Sequence, residues 1–478
     1  MIAAILETVE WCCLVYTVGL NLGYLTLSVV SFVVLGRYAQ RRSFEVPDVY
    51  SEFEPPVTVI VPAYNEEPTV VATVRSLLQL RYPQFEVVVV NDGSKDGTLS
   101  ALKEAFNLRE FPEALRLRLT TAHVRAIYRS PSHPDLKVID KENGGKADAL
   151  NAGLNAARYP LFCALDADGI LQPDSLRRVV RPFLEDSRTV ATGGIIRIAN
   201  GCDVVGGWLV RAGLPRNPLA LLQVVEYCRA FLFGRIGWNP LNGVLVISGA
   251  FGVFHKATVV STGGYRTGVA GEDMELVVRL HRLLRASNTP YRIVFLPDPV
   301  CWTEAPERIG ILRRQRVRWQ RGLCESLSLN RRLMCGLRSG FTGWVAFPFT
   351  LVFECISPIV EITGYVVSVV GYMAGYVDAV LAVGFLAVSV GLGSLLSASS
   401  LLLDEMSFHT YASARHLFGL LLASVAENFG YRQLNALWRL EGLLRWAVGA
   451  RQVWGEMTRT AEWSAELSRP GSARAERS

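Results

Sequence analysis

Three short apolar runs in the first 170 residues each end in acidic side chains. Val57–Val61 leads to Asn65-Glu66-Glu67, Phe85–Val90 to Asn91-Asp92-Gly93, and Leu161–Leu165 to Asp166-Ala167-Asp168-Gly169. One acidic strand end is common. Three at one edge of an open α/β sheet, where ligands bind beyond the strand ends, suggest a site for a cation and a nucleotide. Carboxylates hold Mg²⁺ or Mn²⁺ through oxygen, and substrate phosphates complete the shell. Asn143-Gly144-Gly145-Lys146 is a flexible turn able to aim backbone N–H groups and an ammonium at phosphate. Gly271-Glu272-Asp273 opens a stretch in which Leu276, Val277 and Leu280 recur at helical spacing. Both acids then sit in the first turn of a helix, where negative charge is favoured and a general base is well placed. Gln315, Arg318 and Trp319 fall at i, i+3 and i+4 and share a helix face. That face offers a guanidinium for bidentate contact with a diphosphate and an aromatic platform.

The elements that must position these residues follow from the same pattern. Val57–Val61, a helix-compatible stretch over Pro68–Leu80 and Phe85–Val90 form a βαβ unit, which implies a parallel sheet. Two common nucleotide motifs are excluded. Gly145-Lys146 is followed by Ala147 rather than Ser or Thr, and no G-x-G-x-x-G follows a strand. The nine cysteines form no C-x-x-C pair and have no histidine at zinc spacing, so reduced thiols are expected. His255 and His281 are isolated and read as structural.

Charge is distributed unevenly. The 478 residues are 50% hydrophobic and only 19% charged, against about 25% in a soluble domain. The first 36 residues hold only Glu7 and Glu10, and 339–403 hold only Glu354, Glu361 and Asp378. The expected organisation is an N-terminal membrane helix (1–42), a soluble domain with interfacial helices (43–338), C-terminal membrane or interfacial helices (339–447) and a tail (448–478). Trp11–Gly36 carries no charge and is long enough to cross the ~30 Å hydrocarbon core. Arg37, Arg41 and Arg42 follow it, which places the soluble domain in the cytoplasm. Arg432, Arg439, Arg445, Arg451 and Arg459 argue for a cytoplasmic C-terminus, hence an even number of crossings after the domain. The apolar stretches there are three: 341–377, 379–403 and 416–431. Either 416–431, which carries Glu427, does not span, or 341–377, with Pro348 and Pro358, folds into two. Ser464–Ser478 reads as a disordered tail. Glu354 and Glu361 lie seven apart on one helix face and suit a water-filled path, a buried pair with backbone partners or simple interface depth equally. Leu221–Arg229 reads as an amphipathic, membrane-facing helix. In the cluster Arg313, Arg314, Arg316, Arg318, Arg321, Arg313 and Arg316 are assigned to lipid phosphates and Arg318 to the site.

Taken in order, Val61-Pro62-Ala63-Tyr64-Asn65-Glu66, Asn91-Asp92-Gly93-Ser94, Lys146-Ala147-Asp148-Ala149-Leu150-Asn151, Asp166-Ala167-Asp168, Gly271-Glu272-Asp273 and Gln315-Arg316-Val317-Arg318-Trp319 resemble the membrane-embedded family 2 glycosyltransferases. That group includes the cellulose, chitin, hyaluronan and poly-N-acetylglucosamine synthases. The resemblance covers about residues 55–325 and the general membrane plan. It implies an α/β, GT-A (Rossmann-like) domain that binds a UDP-sugar with Mg²⁺ or Mn²⁺ and inverts the anomeric centre. It further implies Asp168 as metal ligand, Asp166 as a donor contact, and Asp92 with Tyr64 and Glu66 as the uridine site. Lys146, Gln315 and Arg318 become donor contacts, and Asp273, with Glu272 beside it, the catalytic base. Trp319 becomes the acceptor platform. Ser248-Gly249 stands where the family places an acceptor-end loop, although a tight turn explains the small residues equally well. Gly271 departs from the family's common Thr, and Met274-Glu275-Leu276 is unlike the cellulose or hyaluronan synthase continuation.

The reading that follows is an integral membrane hexosyltransferase extending a β-linked polysaccharide or oligosaccharide, with export through its own membrane part. Its partners are a UDP-sugar, a glycan or lipid acceptor and membrane lipids, and no nucleic acid. Transfer of one sugar to a lipid is the alternative. A nucleotide-sugar-binding protein without catalysis is a third reading, which has no need of a base such as Asp273.

Overall fold

The computed structural model describes residues 1–43, 53–205, 208–411 and 413–450. The Ser464–Ser478 tail, Arg451 and Arg459 lie outside the described residues. Val57–Ala63, six of its seven residues buried, lies inside a ten-stranded mixed sheet. In spatial order the strands are Arg109–Glu110, Val124–Arg129, Leu136–Lys141, Phe85–Asp92, Val57–Ala63, Leu161–Leu165, Phe251–His255, Thr189–Ile198, Arg292–Thr303 and Ile170–Leu171. Val57–Ala63 is parallel to both neighbours: Val57 sits opposite Phe85 on one side and Leu161 on the other. The chain winds away from this strand in both directions, which makes its carboxyl end a topological switch point where a crevice opens. The α/β, GT-A reading holds in this sheet. The acidic segments after residues 63, 92 and 165 emerge at that edge, as the sequence pattern requires.

Among the described residues, three helices are long and apolar enough to cross a membrane: Ile2–Gln40, Thr342–Gly371 and Ala379–Phe408. The first begins earlier than its uncharged core suggests. Glu10 lies inside it, fully buried, accepting a hydrogen bond from Ser368 of the second. That second run contains π turns at Thr342–Ala346, Leu351–Cys355 and Val367–Gly371, around Pro348 and Pro358, where the regular ladder cannot continue.

The stretch 416–431 does not form a span. Its helix, Ala414–Ala426, has 13 residues, about 20 Å at 1.5 Å each. Buried Glu427 at its end takes hydrogen bonds from Arg229 and Ser397. The last described helix, Tyr431–Ala447, returns to the soluble domain and packs along Ile309–Leu329. Arg439 Nε donates to Gln320 Oε1 at 2.9 Å, and Arg313 Nε to Glu441 Oε2 at 2.9 Å. Helices on either side of the two long apolar runs therefore meet.

His281 ties the helix Glu272–Ala286 to the loop that precedes Ser248. Its Nε2 faces the Val244 carbonyl at 2.9 Å, and its Nδ1 faces the Tyr291 hydroxyl at 2.6 Å. A carbonyl only accepts, so Nε2 carries the proton and Nδ1 accepts from Tyr291. The ring is neutral, and burial lowers its pKa to about 4, against about 6.5 when unfolded. Between those values the unfolded chain binds a proton that the folded one does not. His281 thus contributes stability that is present in full above pH 6.5 and lost as pH falls towards 4. Thermal unfolding of the purified protein will show this acid-side loss, and His281→Gln, whose amide can donate and accept in the same place, will flatten that part of the profile. An identical profile in the variant contradicts the assignment.

Candidate active site

Beyond the carboxyl edge of the sheet lies a cavity of about 730 Å³. The strand Leu161–Leu165 delivers Asp166 and Asp168 to it, and the turn before helix Lys146–Ala156 delivers Lys146. The first turn of helix Glu272–Ala286 brings Glu272 and Asp273, the 248–250 loop brings Ser248 and Gly249, and helix Ile309–Leu329 brings Gln315, Arg318 and Trp319. Of the residues given metal, donor, acceptor or catalytic roles from the sequence, Tyr64, Glu66 and Asp92 alone do not line it.

Lys146 is the hub. Its Nζ lies 2.5 Å from Asp166 Oδ1 and 3.6 Å from Glu272 Oε1, and it donates to the Gly249 carbonyl at 3.0 Å. Desolvation works to lower its pKa, but Asp166, Glu272 and Asp273 outweigh it and hold Lys146 above the usual lysine range. It is a fixed cation. Gly249 in turn donates its N–H to Asp273 Oδ2 at 2.6 Å, while Met274 N–H reaches Oδ1 at 2.8 Å. A Cβ on Gly249 would stand 3.0 Å from that Oδ2 and 3.2 Å from Lys146 Nζ, so the small residue belongs to the geometry of the site. The tight turn and the close approach are one feature.

Glu272 and Asp273 are neighbours with different surroundings. Glu272 is buried, and burial raises its pKa, with Lys146 opposing and the charge of Asp273 adding. Asp273 opens to the cavity with both oxygens oriented by backbone N–H groups. A group that must take a proton from a bound hydroxyl needs that access.

The oxygen donors fit a hard divalent cation held jointly with phosphate. Asp166 is engaged by Lys146, while Asp168, 5% exposed, lines the cavity and accepts from Thr303 Oγ1 at 3.3 Å. Among the described residues no group of three or more His, Cys, Asp or Glu gathers into a protein-only cage. One or two carboxylates plus a substrate diphosphate is the ordinary arrangement for Mg²⁺ or Mn²⁺.

Asp92, Arg316 and the helix containing Leu221–Arg229 make contacts that sequence spacing did not show. Asp92 is 2% exposed, and both its oxygens are occupied. Oδ1 takes Lys141 Nζ at 2.5 Å and the Gly144 N–H at 3.0 Å, and Oδ2 takes the Gly145 N–H at 2.8 Å. Lys141, fully buried, also contacts Asp148 at 2.6 Å. Asp92 therefore clamps the loop that aims Lys146. Tyr64, 41% exposed, and Glu66 remain at the sheet edge beside it.

Second, Arg316 does not face lipid. It is 4% exposed, forms two hydrogen bonds with Glu226 (2.7 and 2.9 Å) and lies 4.5 Å from the Trp319 ring centre. It props the aromatic platform from below. Arg313, the other arginine assigned to lipid, is held by Glu441. Third, the helix containing Leu221–Arg229, Pro218–Phe231, packs on Ala379–Phe408 yet also sends Glu226 and Tyr227 into the cavity wall.

Glu226, Thr303 and Arg235 are cavity residues that sequence spacing did not single out. Gly271 has a packing reason. A Cβ on Gly322 would stand 2.8 Å from Gly271 Cα and N, so paired glycines bring the Arg318 helix against the Asp273 turn. Glu275, in the unusual Met-Glu-Leu continuation, is wholly buried and paired with Arg279 at 3.0 Å. It supports the helix.

A second cavity of about 390 Å³ adjoins the first, sharing Arg235, Trp319 and Glu354 in its lining, and is also lined by Tyr24 and Glu361 from the apolar helices. Tyr24 Oη donates to Glu354 at 3.2 Å, and Arg432 Nε to Glu361 at 3.3 Å. Both glutamates line this cavity and both are paired.

The family description "Glycosyl transferase family 2" matches residues 58–207, and "Glycosyl transferase family group 2" matches 161–426. The chain is 31% identical over 279 residues to the poly-beta-1,6-N-acetyl-D-glucosamine synthase of Staphylococcus aureus strain COL, covering 58% of this chain and 56% of that one. The Staphylococcus epidermidis synthase is 29% identical over 267 residues, covering 56% and 54%. The chain spans about half the length of these curated relatives. Among solved structures, a mannosyltransferase from Pyrobaculum calidifontis in complex with GDP-Man and Mn²⁺ aligns over 86% of this chain and 99% of its own, with 21% identity and a TM-score of 0.49.

The glycine contact can be tested by one substitution made at two places. Gly322→Ala meets backbone, whereas Gly310→Ala, in the same helix, meets nothing within 4 Å. The first will lower the thermal midpoint, with a cost of about 1–3 kcal/mol, and the second will leave it unchanged or raise it. Equal effects contradict the packing argument.

Proposed function

The chain belongs to glycosyl transferase family group 2, and from that premise we propose that it transfers a hexose from a UDP-sugar to a growing β-linked glycan at a membrane, with inversion at the anomeric carbon. The observation that carries this reading is convergence. An oriented carboxylate, a fixed ammonium and an arginine–tryptophan helix face share one cavity, and that cavity continues between apolar helices. UDP-N-acetylglucosamine is the first donor to test, on the strength of the likeness to the two staphylococcal synthases. Residues 43–338 form the catalytic domain in this reading. The basic residues after the first helix favour placing it in the cytoplasm.

The acceptor sugar stacks on Trp319, held flat by Arg316 and Glu226, with its hydroxyl towards Asp273. The hydroxyl oxygen bonds to the anomeric carbon as the bond from that carbon to the diphosphate oxygen breaks, and Asp273 takes the hydroxyl proton. Gly249 and Met274 N–H groups keep the carboxylate aimed, which lowers the cost of orientation. Lys146, Gln315 and Arg318 bind the diphosphate and offset its growing charge. Among the described residues Gln315 Oε1 is buried without a hydrogen-bond partner, which suits a ligand donor. Asp166, engaged by Lys146, faces the donor sugar. Asp168 would hold the divalent cation, which when bound supplies further charge neutralisation at the leaving group.

The second cavity supports export. A product sugar leaving Trp319 has a polar path past Glu354 and Glu361. One sugar passed to a lipid would give a product of fixed size, so product length separates the two readings.

Asp273→Asn will abolish transfer while leaving UDP binding within about twofold, because the amide keeps the shape but accepts no proton. Normal turnover in this variant would remove Asp273 as base. Asp168→Ala, or chelation of the wild type by EDTA, will remove metal-dependent UDP binding measured by titration calorimetry. A metal titration unchanged by Asp168→Ala contradicts the ligand assignment.

A further inference from the structure

Arg235 stands where the two cavities meet and lines both. Three arginines near it have acidic partners. Arg316 has Glu226, Arg229 has Glu427 and Arg432 has Glu361. Among the described residues the Arg235 guanidinium makes no hydrogen bond or ion pair with the protein, and its Nη1 is shielded from solvent without a partner. Its contacts are aromatic. The guanidinium carbon lies 4.1 Å from the Phe231 ring centre and 5.6 Å from that of Phe295. Rings cover the face of the guanidinium and leave its edge, which carries the N–H donors, for other acceptors.

The backbone is built to aim it. Arg235 lies in a π turn, Leu232–Ile236, that continues the helix Pro218–Phe231. Such turns break the regular ladder and recur at functional sites. Here the first membrane helix secures the turn, for Ser31 Oγ donates to the Leu232 carbonyl at 2.7 Å. A shielded donor such as Nη1 is costly to leave without a partner, and desolvation lowers the pKa of the half-buried Arg235 to about 10, with Asp273 opposing. Asp273 and Glu354 both influence it through space without touching it. Asp273 lines the first cavity, and Arg235 and Glu354 line both.

We infer that Arg235 is an acceptor-binding residue, donating hydrogen bonds to oxygens of the glycan on the acceptor side of Asp273, and thereby holding the acceptor in register between transfers. The ligand class is a neutral, oxygen-rich saccharide whose hydroxyl or acyl carbonyl groups accept from the guanidinium edge. The inference rests on the proposed transfer reaction and adds a contact to it. It separates Arg235 from Lys146, Gln315 and Arg318, which face the donor.

The test uses full-length protein in lipid nanodiscs with a short β-linked N-acetylglucosamine oligosaccharide as primer and UDP-N-acetylglucosamine as donor. Arg235→Gln will raise the primer KM by about tenfold to a hundredfold, the scale of a lost hydrogen bond to a charged group. Donor KM and UDP affinity will stay within about twofold, and labelled products will be shorter. Arg235→Lys, which keeps the charge but not the fork, will recover part of the loss. A primer KM unchanged in Arg235→Gln overturns the inference, as does an equal rise for donor and primer, which would place Arg235 on the diphosphate. If Arg235→Gln does not fold, the Lys variant carries the comparison by the same split in KM. Direct primer binding, followed by tryptophan fluorescence, keeps this separate from the reaction itself. Wild type that binds primer more tightly than Arg235→Gln but releases no UDP from any donor would uphold the contact while the proposed transfer fails.

Discussion

The Lys146 ammonium is what allows several carboxylates to share one end of the cavity. Asp166 and Glu272 lie within 4 Å of its nitrogen, and Asp273 is one backbone hydrogen bond away through Gly249. Without a cation among them, like charges in a desolvated site would push protons back onto the acids. With it, the 248–250 loop, the helix bearing Asp273 and the strand end bearing Asp166 are drawn to one point. The loop that carries Lys146 is itself held by a buried arrangement in which Lys141 sits between Asp92 and Asp148. Two lysines five residues apart thus divide the work. One builds the loop, and the other reaches the site.

From that point the structure extends towards the membrane by paired contacts. Arg316 and Glu226 fix Trp319 against the helix Pro218–Phe231. Arg439 and Glu441 join the last described helix to the one bearing Arg318. Ser31 reaches from the first membrane helix to the π turn that carries Arg235. The catalytic edge and the apolar helices are therefore one mechanical unit, and the second cavity lies along the seam between them.

The sequence made legible what depends on local period and strand ends. The acidic residues after Val57–Val61, Phe85–Val90 and Leu161–Leu165 reach one edge because these strands are parallel and buried on both faces, and right-handed crossovers leave little choice. Asp273 was readable as a first-turn acid, and charge parity foresaw that 416–431 need not span. Long-range pairing was not readable. The pairing of Asp92 with Lys141, 49 residues on, left no trace because Lys141 resembles any surface lysine. Periodicity put Arg316 off the Arg318 face but gave no reason to find Glu226 beneath it, 90 residues earlier. Arg235 carried no signal at all, since a π turn shifts the face that a regular helix would predict. Gly271 looked like a change of loop shape and proved to be half of a backbone contact with Gly322.

The measurement that bears most directly on the account uses wild-type protein in lipid nanodiscs with Mg²⁺ or Mn²⁺. UDP-N-acetylglucosamine, UDP-glucose, UDP-galactose and UDP-glucuronic acid are offered separately, and both UDP release and the size of labelled product are followed. The account predicts UDP release from one donor, N-acetylglucosamine foremost, together with a product many sugars long. A product of one sugar on lipid would contradict glycan extension, and tight UDP binding with no release from any donor would contradict the transferase itself.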